Sequence, residues 1–589
     1  MELRRNDKLI TKKYKEYFVP TLLMAMSSSM AIIVDGIIVG NMLGANALAA
    51  VNVCMPIMQL FSALSVLIGM GAATVISVSK GKRDNDTANR TFTTMCLMAL
   101  IISIILLVCQ LMNPSFFCRM LTTDEQLYLL AYDYYRILIM GTPLIIIVTT
   151  FGYVLRADGL PKYASAILIT SNGVNLIMDV VLIRAFDMGI RGAALATVLG
   201  YVVGMVLLCV YMFSKKRSMR FDCNDMVHRA KDILSNGLSP AMGGIFITIK
   251  ILCINHIVTN IAGSAGMVSF SVCLSCLSFV SMLISGASQT MMPILSTCYG
   301  EKDYSGVGMV IKRAFIVLSV STLVILCVFE LVPKTVLALF GVTAPSDVRL
   351  AVPSLRLFVI SLFGTAMVFL LLYICVAVQK KRLSFIITVL EGLIIVVPGA
   401  FILSNIFGIN GVWFAFILAE YGTVAITYFI TKGNISGICR AEGGTGSGAD
   451  NDDDSILELS INWENVSETV SSAVDFLNKA GFSSSLSNRI GITIEEMIDN
   501  ISHFSKHNNV NMDVLIHTVA DGAVISFCDD GDPFNPLYYS EEEKEEYAID
   551  NISMITSLAS HIDYQRVIGL NKTYIHIDES AHKVDGDNI

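Results

Sequence analysis

The first residue whose chemistry stands out is an aspartate inside a long apolar stretch. Between Glu16 and Lys80 the sequence has a single charged side chain, Asp35. Because about 20 apolar residues span a bilayer, this stretch is long enough for two spans. A carboxylate at membrane depth costs about 3 kcal/mol on insertion scales, so it is retained where it faces a protein interior or a cavity. We therefore predict a functional role for Asp35. The simpler alternative is an aspartate bonded to neighbouring serine or asparagine groups.

A second set of polar side chains follows in later apolar runs. Asn175 and Asp179 are four residues apart and share one helix face. Counted from the basic ends of their spans, Asp35 lies about 27 Å and Asp179 about 26 Å deep, at the same level. Thr197 enters the next span from the opposite side. Two carboxylates, an amide and a hydroxyl predict a proton or sodium site, since neighbouring carboxylates share a proton. The alternatives are that Asp179 snorkels to the outer surface or pairs with Arg184, and that Asn175 and Thr197 make ordinary interhelical hydrogen bonds.

The composition indicates that the helices carrying these residues lie in a membrane. Hydrophobic residues make up 54% of the chain and charged residues 15%, and the mean hydropathy is +0.65. Soluble domains carry about 25% charged residues. Apolar runs predict twelve spans, near residues 17–40, 50–78, 92–112, 132–154, 163–186, 191–213, 237–259, 266–295, 314–336, 354–378, 384–404 and 411–431.

Basic residues orient these spans. The N-terminus and residues 80–83, 215–217 and 380–382 are basic and fall on one side of the predicted topology. By the positive-inside rule this side is the cytoplasm, so both termini are expected there. We expect an integral protein of a bacterial cytoplasmic membrane.

The spans form two similar halves. Segments 44–54, 81–84 and 189–192 resemble segments 263–273, 300–303 and 408–411, and all three pairs have the same separation along the chain, which we call the repeat offset. Since each half contains six spans, the halves have the same orientation in the membrane. Such parallel repeats are typical of transporters that move two lobes around a central pathway.

The second half carries different intramembrane charges. Asp35 and Asp179 correspond to Ile254 and Pro398, so the predicted ion site is not duplicated. The spans of this half contain the charged residues Lys250, Glu391 and Glu420. A buried lysine needs a carboxylate partner. Whether these charges are structural or face a substrate stays open at this point.

Four motifs resemble those of the multidrug and toxic compound extrusion (MATE) transporters: Val34-Asp35-x-x-x-Val39-Gly40-x-x-Leu43-Gly44, Arg156-Ala-Asp158-Gly159, Asn175-x-x-x-Asp179 and Gly189-x-x-Gly192-Ala193-Ala194-x-Ala196-Thr197. The resemblance covers about residues 10–435. It implies export of cationic or amphipathic organic compounds in exchange for protons or sodium ions. It also implies a coupling role for Asp35, Asn175, Asp179 and Thr197 and, more weakly, for Asp158. The simpler interpretation of Asp158 is a turn residue. A lipid-linked-sugar flippase of the same superfamily is the alternative.

The last part of the chain differs in charge and pattern. Residues 451–589 hold 7 basic and 26 acidic residues, whereas residues 1–450 hold 34 and 23. This acidity argues against nucleic acid as a partner. Glycine-rich and acidic residues 432–455 predict a flexible linker. Alternating and helical periodicities beyond it predict a small α+β domain.

Two motifs of this domain could bind a nucleotide. Glu496 and Asn500 lie on one helix face, and Asp529 and Gly531 follow a predicted strand. The region resembles GHKL-type ATPases, closest to the anti-sigma-factor serine kinases. The resemblance implies that Asn500 binds Mg²⁺, that Asp529 reads the adenine of ATP and that Glu496 is the base of a kinase. The expected glycine-rich lid is replaced by residues 548–554. A regulatory domain that binds a cytoplasmic protein, or a membrane signalling protein with a kinase tail, is the alternative.

Together these patterns predict an all-α polytopic membrane protein with twelve helices in two six-helix lobes, plus a small α+β domain. The expected divisions are a basic N-terminus (1–16), an N-lobe (17–213), a linker (214–236), a C-lobe (237–431), an acidic linker (432–455), the GHKL-like domain (456–580) and a tail (581–589).

Overall fold

The computed structural model describes residues 5–122, 124–214, 217–340, 342, 344–432, 456–461, 465–505, 510–519, 521–535 and 551–579. The chain divides into two compact units. One is Tyr14–Arg440, and the other combines Met1–Lys13 with Ala441–Ile589. Most of the predicted acidic linker (433–455) and the predicted tail (581–589) lie outside the described residues.

The membrane unit is helical. We keep the names N-lobe for residues 17–213 and C-lobe for residues 237–431. The helices of the N-lobe are α1 (Lys8–Leu43), α2 (Ala45–Gly81), α3 (Asn85–Met112), α4 (Pro114–Leu121), α5 (Glu125–Met140), α6 (Thr142–Ala157), α7 (Pro161–Val180) and α8 (Gly189–Met212). A π-helical turn, Val181–Ala185, follows α7.

The C-lobe repeats this order. Its helices are α9 (Met226–Gly300), α10 (Tyr304–Leu331), α11 (Pro333–Leu339), α12 (Pro345–Ala377), α13 (Lys381–Val389), α14 (Val396–Phe407) and α15 (Ile409–Ile430). Helix α9 contains two spans, because Gly263 breaks it with φ 56° and ψ −142°. A π-helical turn, Leu390–Ile394, separates α13 from α14.

Eleven helices of the described residues are long and apolar enough to cross a membrane, and the number of spans is twelve if a bent pair of helices counts as one. The bent pair replaces the straight span predicted for 132–154. Helices Leu127–Met140 and Thr142–Ala157 meet at an angle of 59°. The break falls at Gly141, and the proline that follows at the start of α6 lacks the N–H that a continuous helix needs.

The repeat is visible in the backbone. Three pairs of residues related by the repeat offset adopt left-handed φ angles: Gly44 and Gly263, Arg83 and Lys302, and Gly189 and Gly408. Asp84 caps α3 by accepting a hydrogen bond from the Thr87 N–H, and Asp303 caps α10 through the Gly306 N–H. The same turns therefore end the same spans in both lobes.

The lobes meet at the end where loops 81–84 and 300–303 lie, which we call the basic end. A Cβ on Gly81 would lie 2.2 Å from the Thr297 carbonyl oxygen, and one on Gly300 would lie 2.2 Å from that of Val78. The repeat offset relates Gly81 to Gly300 and Val78 to Thr297, so the contact is reciprocal. Further along, Gly237 lies against the backbone of Leu67. Only glycine permits this close approach of backbones.

The C-terminal unit has five antiparallel strands in the order β1-β2-β3-β5-β4. The strands are β1 (Ile456–Ile461), β2 (Met512–Val519), β3 (Gly522–Asp529), β4 (His561–Val567) and β5 (Leu570–Asp578). The helices are α16 (Val466–Lys479), α17 (Ser484–Phe504) and α18 (Asn551–Leu558). Apolar residues of α17, including Ile494 and Met497, form one core with Val514 and Ile525 of the sheet. The predicted α+β fold class is therefore present.

Candidate functional site

The N-lobe contains a pair of carboxyl groups. Asp35 of α1 and Asp179 of α7 form a side-chain hydrogen bond with each other. Asp179 is fully buried, whereas Asp35 is partly exposed. Asp179 Oδ1 has no hydrogen-bond partner in the described part of the chain. A carboxyl–carboxyl hydrogen bond requires a proton on one group, and the second group is left to interact with a cation.

Neutral oxygens and amides surround this pair. Asn175 Nδ2 donates to Asp179 Oδ2 and to Thr197 Oγ1, at 3.3 Å in each case. Thr197 in turn donates to the Ala193 carbonyl. The π-helical turn begins two residues after Asp179, and such turns often lie at functional sites. The structure thus brings together four of the predicted coupling residues.

A fifth member of this cluster is Tyr134, which the sequence analysis did not identify. Its side chain is buried on α5 and lies near Thr197 and both carboxyl groups. Tyr134 belongs to a run of four tyrosines at 128, 132, 134 and 135. Nothing in its spacing distinguishes a site residue from a core aromatic.

Asp158 lies outside the cluster. Its carboxylate accepts hydrogen bonds from Lys80 Nζ at 2.7 Å, Tyr211 Oη at 2.6 Å and the Ser218 hydroxyl. Its side chain is fully buried among these donors. These contacts join α2, α6, α8 and the inter-lobe linker at the basic end, which favours the turn interpretation of Asp158.

The C-lobe contains a different buried cluster. Lys250 of α9 forms an ion pair with Glu391, which lies in the π-helical turn after α13. The ammonium group is also 5.8 Å from the ring centroid of Phe416. Glu420 is a third charged neighbour; it lies beside Thr365, and its Oε2 lacks a partner among the described residues. One lysine therefore faces two carboxyl groups.

In the C-terminal unit, the predicted Mg²⁺ residue is buried. Asn500 is 8% exposed, and its Nδ2 has no hydrogen-bond partner in the described ranges. An orphaned buried amide costs about 1–3 kcal/mol, which a ligand would recover. Glu496 lies one turn earlier on α17. Burial and the charges of Asp499 and Glu495 raise the pKa of Glu496.

The predicted adenine residue lies at the end of β3. Asp529 Oδ1 accepts from the Gly531 N–H at 2.9 Å and from Asn571 Nδ2 at 2.8 Å. Arg566 Nη1 donates to Asn571 Oδ1 at 2.6 Å. Burial raises the pKa of Asp529 to about 6, although the Asn571 and Gly531 hydrogen bonds oppose this shift. Asn571 and Arg566 could not be identified from the sequence, because they lie on β5 and β4, far from Asp529 in the chain.

The region predicted to replace the glycine-rich lid is only partly described. Residues 548–550 lie outside the described residues, and α18 begins at Asn551.

Curated relatives are multidrug export proteins. The multidrug export protein MepA of Staphylococcus haemolyticus is 23% identical over 432 residues, which cover 72% of this chain and 93% of that protein. MepA of Staphylococcus aureus strain MRSA252 is 21% identical over 417 residues, covering 70% and 91%.

Solved structures share the fold of the membrane unit. A MATE transporter in a bent conformation superposes with a TM-score of 0.68 at 21% identity, covering 73% of this chain and 96% of that one. A MOP superfamily transporter from Pyrococcus furiosus, whose binding pocket is described as having reverse polarity, gives 0.67 at 22% identity, with 74% and 98% covered.

A family model matches both lobes. The model described as MatE matches residues 20–181 and 240–402, one match in each lobe, which is more than half of the chain. The protein therefore belongs to the MATE family of membrane transporters.

Proposed function

We propose that the protein exports small organic compounds in exchange for protons, and that Asp35 and Asp179 carry the proton. The observation that supports this proposal most directly is the hydrogen-bonded carboxyl pair in the interior of the N-lobe. The relatives named multidrug export proteins support organic compounds as the exported class.

The carboxyl pair would couple the two transported species through changes in its net charge. With one shared proton it carries one negative charge, which attracts a second proton or a cationic compound. Like charges in a poorly solvated site cannot both remain ionised, so the shared proton is held tightly. A second proton neutralises the pair and removes its attraction for a cationic compound. Asn175 donates a hydrogen bond that orients Asp179, and Thr197 accepts from the same Asn175 amide and so helps to fix its position.

The basic end of the lobes is proposed to face the cytoplasm, with both termini on that side. Lys80, Lys82 and Lys302 lie there, in agreement with the positive-inside rule. Because the glycine contacts close the lobes at this end, this proposed orientation would make the described conformation outward-facing. The proposed location is a bacterial cytoplasmic membrane.

The C-lobe cluster is proposed to be structural. Lys250 neutralises Glu391 with a fixed cation, so this pair needs no mobile ion. Removing one partner would leave a buried charge, which costs about 3–5 kcal/mol. Asp158 is likewise proposed to hold the basic end together rather than to carry a proton.

Transport assays on proteoliposomes test the proposal. A pH gradient alone is expected to drive export of a fluorescent organic cation, and a sodium gradient at constant pH is expected to leave it at the background of protein-free vesicles. Sodium-driven export without a proton requirement would assign the site to sodium. An uncoupled transfer of lipid-linked sugars would indicate the flippase function.

The C-terminal unit is proposed to bind ATP with Mg²⁺. Asn500 would hold the metal ion, and the Asp529 carboxylate, beside Gly531, would accept from the adenine amine. The unpartnered Asn500 Nδ2 is a hydrogen-bond donor and suits a phosphate oxygen of the nucleotide, whereas the metal ion would take the side-chain oxygen. ATP would supply a phosphoryl group for transfer if the unit is a serine kinase. Glu496 is placed to act as the base, because burial and the neighbouring acids Asp499 and Glu495 raise its pKa and make its carboxylate a stronger proton acceptor.

Nucleotide binding to the full-length protein tests this second proposal. Because the pKa of Asp529 is about 6, its acceptor form prevails at pH 7 and is about tenfold less abundant at pH 5. We expect ATP affinity to fall about tenfold over that interval. Asn500→Ala is expected to abolish the Mg²⁺ dependence. Absence of ATP binding at pH 7 would leave the domain as a binder of a protein partner.

A further inference from the structure

The first described residues of the chain pair with the C-terminal sheet. The Arg5 N–H donates to the Glu458 carbonyl at 3.2 Å, and the Asn6 N–H donates to Ser460 Oγ at 2.9 Å. Glu458 and Ser460 belong to β1, the edge strand of the sheet. An edge strand offers unpaired backbone groups, and the Arg5 N–H satisfies one of them, the Glu458 carbonyl, while Asn6 binds a side chain of the same strand.

Side-chain charges reinforce this docking. The Arg5 guanidinium lies 3.0 Å from Asp513 Oδ2, and the two side chains are 5% and 2% exposed. Ser460 Oγ also donates to Asp513. A buried ion pair becomes strongly destabilising when one partner is removed. Arg5 is therefore a required neighbour of Asp513 rather than an incidental surface contact.

A second pair lies at the motif that ends β3. Lys12 Nζ is 2.6 Å from Asp530 Oδ2, whose side chain is 1% exposed. Lys13 Nζ donates to the Gly569 carbonyl at 3.0 Å. Burial alone would raise the pKa of Asp530, but hydrogen bonds from Lys12 and Asn511 hold that pKa below its usual value.

This second pair adjoins the proposed nucleotide site. Asp530 directly follows Asp529, and Gly531 bonds to Asp529 in the same turn. The Lys12 ammonium offsets negative charge in this turn, so an anionic nucleotide should bind better when the segment is docked. Helix α1 begins at Lys8 and, further along the same helix, contains Asp35.

We propose that residues 5–13 are a built-in ligand of the C-terminal domain, and that their docking is linked to nucleotide binding in the adjacent turn. Through this linkage the domain sets the state of α1 and thereby regulates transport. The docking stands independently of the proposed function, whereas the linkage rests on the proposed nucleotide site.

Hydrogen exchange of the full-length protein in lipid nanodiscs tests the docking. The double variant Arg5→Ala/Lys12→Ala is expected to increase exchange of residues 456–461 by at least about tenfold. Lys8→Ala removes the same charge from an exposed position of the segment and is the matched control. Unchanged exchange of residues 456–461 in the double variant would overturn the docking.

ATP titration of the same preparations tests the linkage. Lys12→Ala is expected to weaken ATP binding about tenfold, while Lys8→Ala leaves it unchanged. By reciprocity, ATP should slow the exchange of residues 5–13 in the wild type by the same factor. If the wild type binds ATP and Lys12→Ala binds it equally or more tightly, the linkage is overturned alone. If the wild type binds no ATP, both the linkage and the proposed nucleotide site are overturned.

Discussion

The buried cluster of the N-lobe is built on two acids, Asp35 and Asp179, whereas that of the C-lobe combines two acids with a base, Lys250. The helices that carry these clusters are related by the same repeat offset, and their turns share left-handed residues at corresponding positions. In the C-lobe a fixed ammonium group neutralises one of the two acids, Glu391. In the N-lobe only a mobile cation can do so. Duplication thus preserved the frame of the lobes while their interiors acquired different chemistry.

The largest effect on transport is expected for Asp179→Asn. The amide keeps the shape of the side chain but cannot bind and release a proton, so export driven by a pH gradient should fall to the background of empty vesicles. The measurement is substrate efflux from proteoliposomes. Asp133→Asn, at an exposed ion pair with Arg191 in the same lobe, is the control and should transport normally. Coupled export by Asp179→Asn at the wild-type rate would refute the assignment.

Gly81→Ala in the N-lobe and Gly300→Ala in the C-lobe are expected to slow transport to the same extent. Both effects should be smaller than that of Asp179→Asn. Each added Cβ would lie 2.2 Å from a carbonyl oxygen of the other lobe. Overpacking costs about 1–3 kcal/mol, enough to slow transport about tenfold by disfavouring closure of the basic end. Gly308→Ala, whose Cβ would meet open space, is the control. A defect in only one of the two variants would contradict the reciprocal contact.

A change of a few fold is expected for Tyr134→Phe. Loss of a hydroxyl next to Thr197 and the two carboxyl groups is expected to cost about 1 kcal/mol and to shift the pH midpoint of transport. Tyr135→Phe is the matched control, because the buried Tyr135 hydroxyl has no partner among the described residues. Equal midpoints for both variants would exclude Tyr134 from the site.

The smallest effect on transport is expected for the double variant Lys250→Met/Glu391→Gln, which removes both charges of the C-lobe pair. Lys250→Met alone should lower the free energy of unfolding by about 3–5 kcal/mol, because it leaves Glu391 buried and unpaired. The double variant should recover most of this stability and transport within about twofold of the wild type. Thermal unfolding and efflux are the measurements. Loss of export in a stable double variant would assign a transport role to the C-lobe.

Local patterns predicted much of the fold. The repeat offset predicted the matching turns, and the four-residue spacing of Asn175 and Asp179 placed them on one face. The number of residues between the basic end of its span and Asp35 predicted that Asp35 lies level with Asp179 in the lobe. These features depend on helix geometry, which the sequence encodes within a few turns.

Features that depend on distant parts of the chain could not be predicted. Tyr134 joins the N-lobe cluster because of the way α5 packs, and Lys12 lies near the start of the chain whereas its partner Asp530 belongs to the C-terminal unit. The motif around Asp158 resembles one of the MATE transporters. The groups that donate hydrogen bonds to Asp158, however, belong to three other segments of the chain. Only the tertiary structure distinguishes these roles.

The reciprocal contact of Gly81 with Gly300 has an evolutionary consequence. When a residue touches its own counterpart, the local symmetry axis passes between them, as in an isologous dimer. A half-length ancestor could have formed this contact between two identical chains before the gene doubled and fused. In such an ancestor the two glycines would belong to the subunit interface, and each half of the present chain still contains one side of that contact.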